Sequence, residues 1–342
     1  MNKHAGYLQG NLEHHLDHLA PFCSLMGWPL IVTDEEIFKL GLAYYPDLTL
    51  HLWNVLEAPF EVTKQFDVIV TTLPRIAFDE IFFIAEASLN KRLKTIWLPH
   101  GNSDKVHLLP WMEALRFEEA AFVYGSKMID FLAQKNVKIP TIIHVGNFRY
   151  IYFQKHRQFY ENLLDSMGLK KSFILYAPTW KDAEDSSSFD RAIDEVIERL
   201  SHLPLVIKPH PNESEDIRVI QRKLTCTASW LDHFPPIYPL LERTSHLLGD
   251  FSSIGYDFLQ FNRPMFFLPP STRSTDDPGC FLHRYGTVIS QDALSSLSTL
   301  LTIPIDATGN RRSLTAYTFG EPSTWTQLLE GVLQGVKQLD IG

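Results

Sequence analysis

The stretch Leu247–Pro270, LLGDFSSIGYDFLQFNRPMFFLPP, decides how this chain is read. Leu247 and Leu248 predict a short buried strand, and Gly249-Asp250 a sharp turn. Ser252 and Ser253 then open a helix, Asn262-Arg263-Pro264 breaks it, and Met265–Leu268 predicts a second buried strand. The turn presents hydroxyls and unpaired backbone N–H groups at a helix N-terminus, which carries about half a positive charge and favours phosphate. A serine at that place is also an ordinary helix cap. What changes the reading is that three other turns carry polar residues at the same structural position.

Working outward, apolar runs alternate with helical periods along the chain. Strands are expected at Phe173–Tyr176, Leu205–Ile207 and Thr287–Ile289, with helices at Asp190–Leu200, Ser214–Leu224 and Ile254–Phe261. Asp182–Ser188 reads as a solvated acidic loop and Pro269–Cys280 as a second long loop. The N-terminal half repeats the alternation. A helix over residues 11–26 precedes strands at Pro29–Val32, Leu48–Trp53, Phe66–Val70, Thr95–Leu98, Ala120–Tyr124 and Thr141–His144. Tyr150–Met167 is helical and stands where a linker belongs. Thr324–Leu339 spaces Trp325, Leu328, Leu329, Val332, Leu333 and Val336 as a wide apolar face that must be buried. Such alternation argues for α/β architecture with two doubly wound, Rossmann-like parallel sheets.

A length of 342 residues agrees with about two domains. The net charge of −9, without any Lys/Arg block, argues against a nucleic-acid surface. Cys23, Cys226 and Cys280 are scattered and form no CxxC, which fits a reduced, cytosolic compartment. Met1–Gly10 reads as polar and no run approaches about 18 apolar residues, so neither a signal peptide nor a transmembrane segment is expected.

In open α/β sheets, ligands collect beyond the carboxyl ends of the strands. Four polar turns stand there. Leu98–Lys105 offers His100, which exchanges a proton near neutral pH, then Gly101 for close backbone approach and Lys105 as a cation. Leu175–Asp182 offers Thr179 and Lys181 to phosphate and Trp180 as a wall. Val206–Asn212 holds Lys208 and His210 rigidly among Pro209 and Pro211. Gly249–Ser253 closes the set. A diphosphate needs several donors and one or two cations, and these turns supply them without a metal or another cofactor. His14, His15 and His18 share one predicted helix but lack acidic partners at ligand spacing, so they read as surface and core histidines. No P-loop, GxGxxG, GxSxG or HExxH motif occurs.

Taken together, PHGNSDK (99–105), ILYAPTWKD (174–182), IKPHPN (207–212) and GDFSSIGYDF (249–258) resemble the markers of the CDP-glycerol glycerophosphotransferase family, the enzymes that prime and polymerise wall teichoic acid and their relatives. Two departures stand out: Asn102-Ser103-Asp104 replaces the usual surroundings of the His-Gly loop, and Phe251 stands where a tyrosine is usual. The resemblance implies a GT-B architecture with the active site in a cleft. Residues 1–150 would form an acceptor-side domain and 151–320 a nucleotide-donor domain, with a C-terminal helix at 321–342 packing back on the first. It implies transfer of glycerol phosphate, or a similar alcohol phosphate, from a CDP-activated donor to a lipid-linked or glycan hydroxyl, with release of CMP. His100 would be the base. His210 and Lys208 would neutralise the diphosphate, Thr179, Ser252 and Ser253 would donate to its oxygens, and Asp250 would orient a hydroxyl or the histidine. Gly101 and Lys105 would complete the substrate contacts. Location would be cytoplasmic or peripheral at the inner face of the cell membrane. The rival readings are a GT-B nucleotide-sugar glycosyltransferase or epimerase, and a nucleotide-binding relative without turnover.

Overall fold

The computed structural model describes residues 3–105, 109–213, 216–269, 276–302 and 308–340. Its thirteen strands form two separate parallel sheets. The first holds β1 (His4–Leu8), β2 (Leu30–Val32), β3 (Leu50–Leu52), β4 (Val68–Thr71), β5 (Lys94–Trp97), β6 (Ala120–Val123) and β7 (Thr141–His144) in the order β3-β2-β1-β4-β5-β6-β7. The second holds β8 (Phe173–Tyr176), β9 (Leu205–Ile207), β10 (Ser229–Trp230), β11 (Thr244–Gly249), β12 (Met265–Phe267) and β13 (Thr287–Val288) in the order β10-β9-β8-β11-β12-β13. Both are doubly wound, as expected. Each order reverses once, between β1 and β4 and between β8 and β11. Those reversals are the places where an open α/β sheet takes a ligand.

The chain divides into two units. One comprises Met1–Gly101, Leu108–His156 and Ala316–Gly342, the other Asn102–His107 and Arg157–Thr315. The helix expected over Tyr150–Met167 is two, Phe148–Lys155 and Arg157–Ser166, and the chain passes between units where they part.

Strands buried on both faces read as continuous apolar runs, which is why most were legible. β1 and the two-residue edge strand β10 are the exceptions. Met1–Gly10 was expected to be merely polar, yet His4–Leu8 lies at the middle of the first sheet with Ala5, Tyr7 and Leu8 buried. Its five residues HAGYL include no β-branched residue and only one aliphatic side chain larger than alanine, Leu8. In the second unit, helix Phe189–Leu200 shows the usual logic: Phe189, Ala192, Ile193, Val196 and Leu200 fall on one stripe. That stripe packs with Ile174, Tyr176, Ile207 and Leu248 of the sheet. Ser214 and the stretch 270–275 of the expected long loop lie outside the described residues. No helix among the described residues is long and apolar enough to cross a membrane.

The C-terminal segment completes the first unit. Helix Trp325–Asp340 packs against β7, burying Val332 and Val336, and Trp325 Nε1 donates to the Leu25 carbonyl at 3.2 Å. The buried face is narrower than the apolar spacing implied, because Leu333 is exposed. Just before this helix the segment crosses Gly125. A Cβ there would meet Thr318 O at 2.6 Å and Gly320 N at 3.0 Å, both backbone atoms that cannot swing aside. Gly125→Ala should therefore cost about 1–3 kcal/mol as overpacking, read as a lower urea midpoint. An unchanged midpoint would show that the crossing does not pack this tightly.

Candidate functional site

In the second unit, the β8 and β11 turns flank the reversal of strand order, and Asp250 joins them. Its Oδ1 accepts from Thr179 N at 2.9 Å. Its Oδ2 accepts from Ser188 N at 2.7 Å and Ser188 Oγ at 2.8 Å. Since the Ser188 hydroxyl hydrogen goes to Asp250, the 2.9 Å contact between Tyr176 Oη and Ser188 Oγ has tyrosine as donor. Burial pushes the Asp250 carboxyl above its usual range, against the pull of these hydrogen bonds and of Lys105. Burial likewise raises the Tyr176 phenol, with the Asp250 charge adding to it.

Asp182–Ser188, expected to be solvated, is instead part of this brace. Ser186, Ser187 and Ser188 are buried, because the Asp250 carboxylate draws the segment onto the turn. Asp182 holds the cation. Lys105 Nζ lies 2.8 Å from Asp182 Oδ2 and 2.9 Å from Thr179 Oγ1, and 5.8 Å from the centre of the Trp180 ring. Neighbouring Asp104 accepts from Tyr256 Oη at 2.5 Å and from Leu282 N at 3.2 Å, so the chain just after Gly101 is fastened to the second unit.

Burial would raise Asp182, but the Lys105 hydrogen bond and charge, with help from Ser186, outweigh it and hold the carboxyl below its ordinary value of 3.8. A depressed carboxyl contributes stability above the unfolded value and loses it as pH falls through the folded one. Lys105→Ala should cost about 1.5–3 kcal/mol near neutral pH, and the gap to the parent should close in acid below the ordinary aspartate value. Urea titrations at the two pH values test this; a gap that does not change with pH would mean that the pair contributes no stability.

The third turn follows β9. Lys208 is buried, and its backbone N–H donates to Tyr176 O at 2.9 Å. Asn212 N donates to His210 Nδ1 at 3.2 Å, which leaves the ring hydrogen of a neutral His210 on Nε2. The His210 ring stands 6.4 Å from that of Trp180, centre to centre. Ser252 and Ser253 follow β11. Ser252 Oγ accepts a long bond from Ile254 N at 3.4 Å, and Ser253 precedes the helix Ile254–Phe258 without a side-chain capping bond. The structure thus groups Lys105, Thr179 and Asp250 directly and links His210 to them through Trp180. The sequence reading missed Asp182, Ser188 and His283. His283 Nε2 lies 3.0 Å from the Asp250 carbonyl, and its ring rests between Phe251 and Phe267. A buried acid that needs several donors was the available signal for Ser188; nothing local marked His283.

In the first unit, β1, β4 and β5 end at the corresponding reversal. His100 follows β5, and Gly101 after it has φ 129°, a left-handed value that glycine accepts readily. His100 stacks on His15, with ring centres 4.2 Å apart and planes 17° from parallel. His14 meets both edge-on, at 4.3 Å from His15 and 5.9 Å from His100. His15 Nδ1 lies 2.7 Å from Thr72 Oγ1, at the end of β4. His18 faces elsewhere. Tyr124 Oη donates to Pro99 O at 3.1 Å, so its bond with His18 Nδ1 is donated by the imidazole. Burial first, then Arg149 and the neighbouring histidines, lower the His18 pKa well below its usual value. Beneath, Arg149 pairs with buried Asp17, which also accepts from Tyr45 Oη at 2.9 Å. The polar chain under Pro99 fixes the turn that carries His100.

Residues 150–274 match the family model of CDP-Glycerol:Poly(glycerophosphate) glycerophosphotransferase. Over those residues the chain carries that family's signature. Three of the four turns fall within this stretch, and the chain is a transferase. Compared with curated proteins by sequence, it finds no match. Among solved structures it is similar to the wall teichoic acid polymerase TagF, a His-to-Asn variant soaked with CDPG. The TM-score there is 0.64 at 13% identity, over 98% of this chain and 90% of that one. A co-structure of S. aureus MnaA with UDP gives 0.63 at 12%, over 98% and 97%. The UDP-GlcNAc 2-epimerase of Neisseria meningitidis bound to UDP-GlcNAc gives 0.60 at 12%, over 97% and 100%. At such identities the likeness is one of fold, the GT-B type with two Rossmann-like domains.

Proposed function

We propose that this transferase moves glycerol phosphate, or a similar alcohol phosphate, from a CDP-activated donor to a hydroxyl acceptor and releases CMP. The observation that carries the reading is a coincidence of position. The family match over residues 150–274 contains the second unit's switch point, where Thr179, Lys208, His210, Ser252 and Ser253 follow parallel strands. The acceptor oxygen attacks the phosphorus bearing the alcohol, the bond from that phosphorus to the bridging oxygen breaks, and CMP leaves with the bridging oxygen. The proton of the attacking hydroxyl passes to His100. Lys208 offsets the diphosphate charge, and His210 Nε2–H and the hydroxyls of Thr179, Ser252 and Ser253 donate to its oxygens. Lys105 brings a cation already paired with Asp182, so its share is smaller. Asp250 acts by holding the Thr179 turn in place.

Soaking of CDPG into TagF supports a CDP-linked donor. A lipid-linked or glycan hydroxyl is the acceptor class, met in the cytoplasm or at the inner face of the membrane. MnaA with UDP and the UDP-GlcNAc epimerase favour a second reading, chemistry on a nucleotide sugar. One experiment separates them: the protein is incubated with CDP-glycerol, CDP-ribitol and UDP-sugars, and nucleotide products are followed by chromatography. CMP from a CDP-alcohol alone is the expected result. Turnover confined to UDP-sugars would transfer the assignment to the second reading, and CDP binding without release from any donor would make the chain a binding relative.

A further inference from the structure

We propose that His14, His15 and His100 form a binding site for one divalent transition-metal ion, Zn²⁺ by ligand class. Each offers one ring nitrogen, and the three nitrogens lie within 4.8 Å of one another. The sequence alone does not show this set. His14 and His15 begin helix Glu13–Met26 after β1, while His100 follows β5, and only the sheet order brings them together. Imidazole nitrogens suit zinc and its neighbours among divalent ions, and three of them leave a fourth position for water. At zinc–nitrogen distances of about 2.0–2.1 Å, tetrahedral ligand atoms stand roughly 3.4 Å apart. The trio therefore needs to draw in by about 1.5 Å at most. His100 is exposed and borders the left-handed Gly101, so it is the member able to make that shift.

His15 already has the supporting contact such sites use. Its Nδ1 lies 2.7 Å from Thr72 Oγ1, and when Nδ1–H is the donor the ring holds the tautomer whose Nε2 lone pair takes a metal. His18 does not belong to the group, since only His14, His15 and His100 bring their nitrogens within 4.8 Å of one another. Protons on two stacked rings would repel each other, whereas one ion lets all three lone pairs face the same positive charge. The inference goes beyond phosphate transfer and does not depend on it. A metal on His100 and proton abstraction by His100 use the same lone pair, so the two states exclude each other.

The test is titration of chelator-treated protein with Zn²⁺ by calorimetry and with Co²⁺ by visible absorption. One equivalent of Zn²⁺ binding in the micromolar range or tighter is expected, with the intense visible bands of four-coordinate Co²⁺. His14→Ala and His100→Ala should each weaken Zn²⁺ at least about tenfold, and neither removes a fully buried side chain. His202→Ala, at an exposed histidine of the other unit, should change nothing. No stoichiometric binding, or binding that both trio variants leave unchanged, would overturn the site.

Discussion

His100→Ala is expected to lower CMP release by about 10²–10⁴ while CDP binds almost as before. Under the proposed function the side chain lost takes up the proton that the acceptor oxygen sheds as it attacks, a group whose help is needed only as the new bond forms. Gly101 beside it and the fixed Pro99 turn beneath it suit a ring that meets an incoming hydroxyl. His210→Ala is expected to behave in the opposite way. Its ring lies among prolines with Nδ1 engaged by Asn212 N, and under the proposed function its Nε2–H donates to a charge present in ground and transition state alike. A charge-assisted contact to phosphate contributes on the order of 1.5–3 kcal/mol, so CDP should bind roughly ten- to a hundredfold more weakly. Calorimetric CDP binding and CMP release, both with a chelator present, read the two effects apart. If His100→Ala abolished CDP binding and His210→Ala left it intact, the two roles would be exchanged.

Asp250→Ala is expected to destabilise the second unit by about 3–5 kcal/mol. The carboxylate is buried and is the acceptor for Thr179 N, Ser188 N and Ser188 Oγ. Removing it strands two buried N–H groups, each costing roughly 1–3 kcal/mol, and opens a small cavity besides. Asp250→Asn keeps one acceptor oxygen but turns an NH₂ toward the Ser188 donors, so it should lie between the parent and alanine. Urea unfolding of the three proteins gives the order. A loss below about 1 kcal/mol for alanine would mean that water replaces the carboxylate and that the turns are not braced by it.

Two doubly wound sheets were legible because the inner strands of both are largely buried on each face, and most of their apolar runs stand out from the helical periods between them. β1 was not, since HAGYL owes its central place to backbone pairing with β2 and β4 rather than to hydrophobic bulk. The polar turns could be found because strand ends are where sequence and ligand chemistry meet. Their internal contacts could not. Ser188 reaches Asp250 across 62 positions, and Lys105 reaches Thr179 across 74. Nothing local in either segment announces its partner. The histidines show the same limit: His14 and His15 were read with His18 because they share a helix, whereas the fold sets them against His100, more than 80 residues away.

The first unit is discontinuous, and that has a consequence for synthesis. Its strand β7 is not covered until Trp325–Asp340 packs on it, so this unit cannot be finished before those residues have been made. All described strands of the second unit lie between Phe173 and Val288 and are made earlier. The half translated second is thus the first able to close its core, and the N-terminal sheet waits with β7 uncovered, a state in which chains aggregate or recruit chaperones. The protein released after truncation at Thr315 should therefore carry a protease-resistant second unit and a protease-sensitive first.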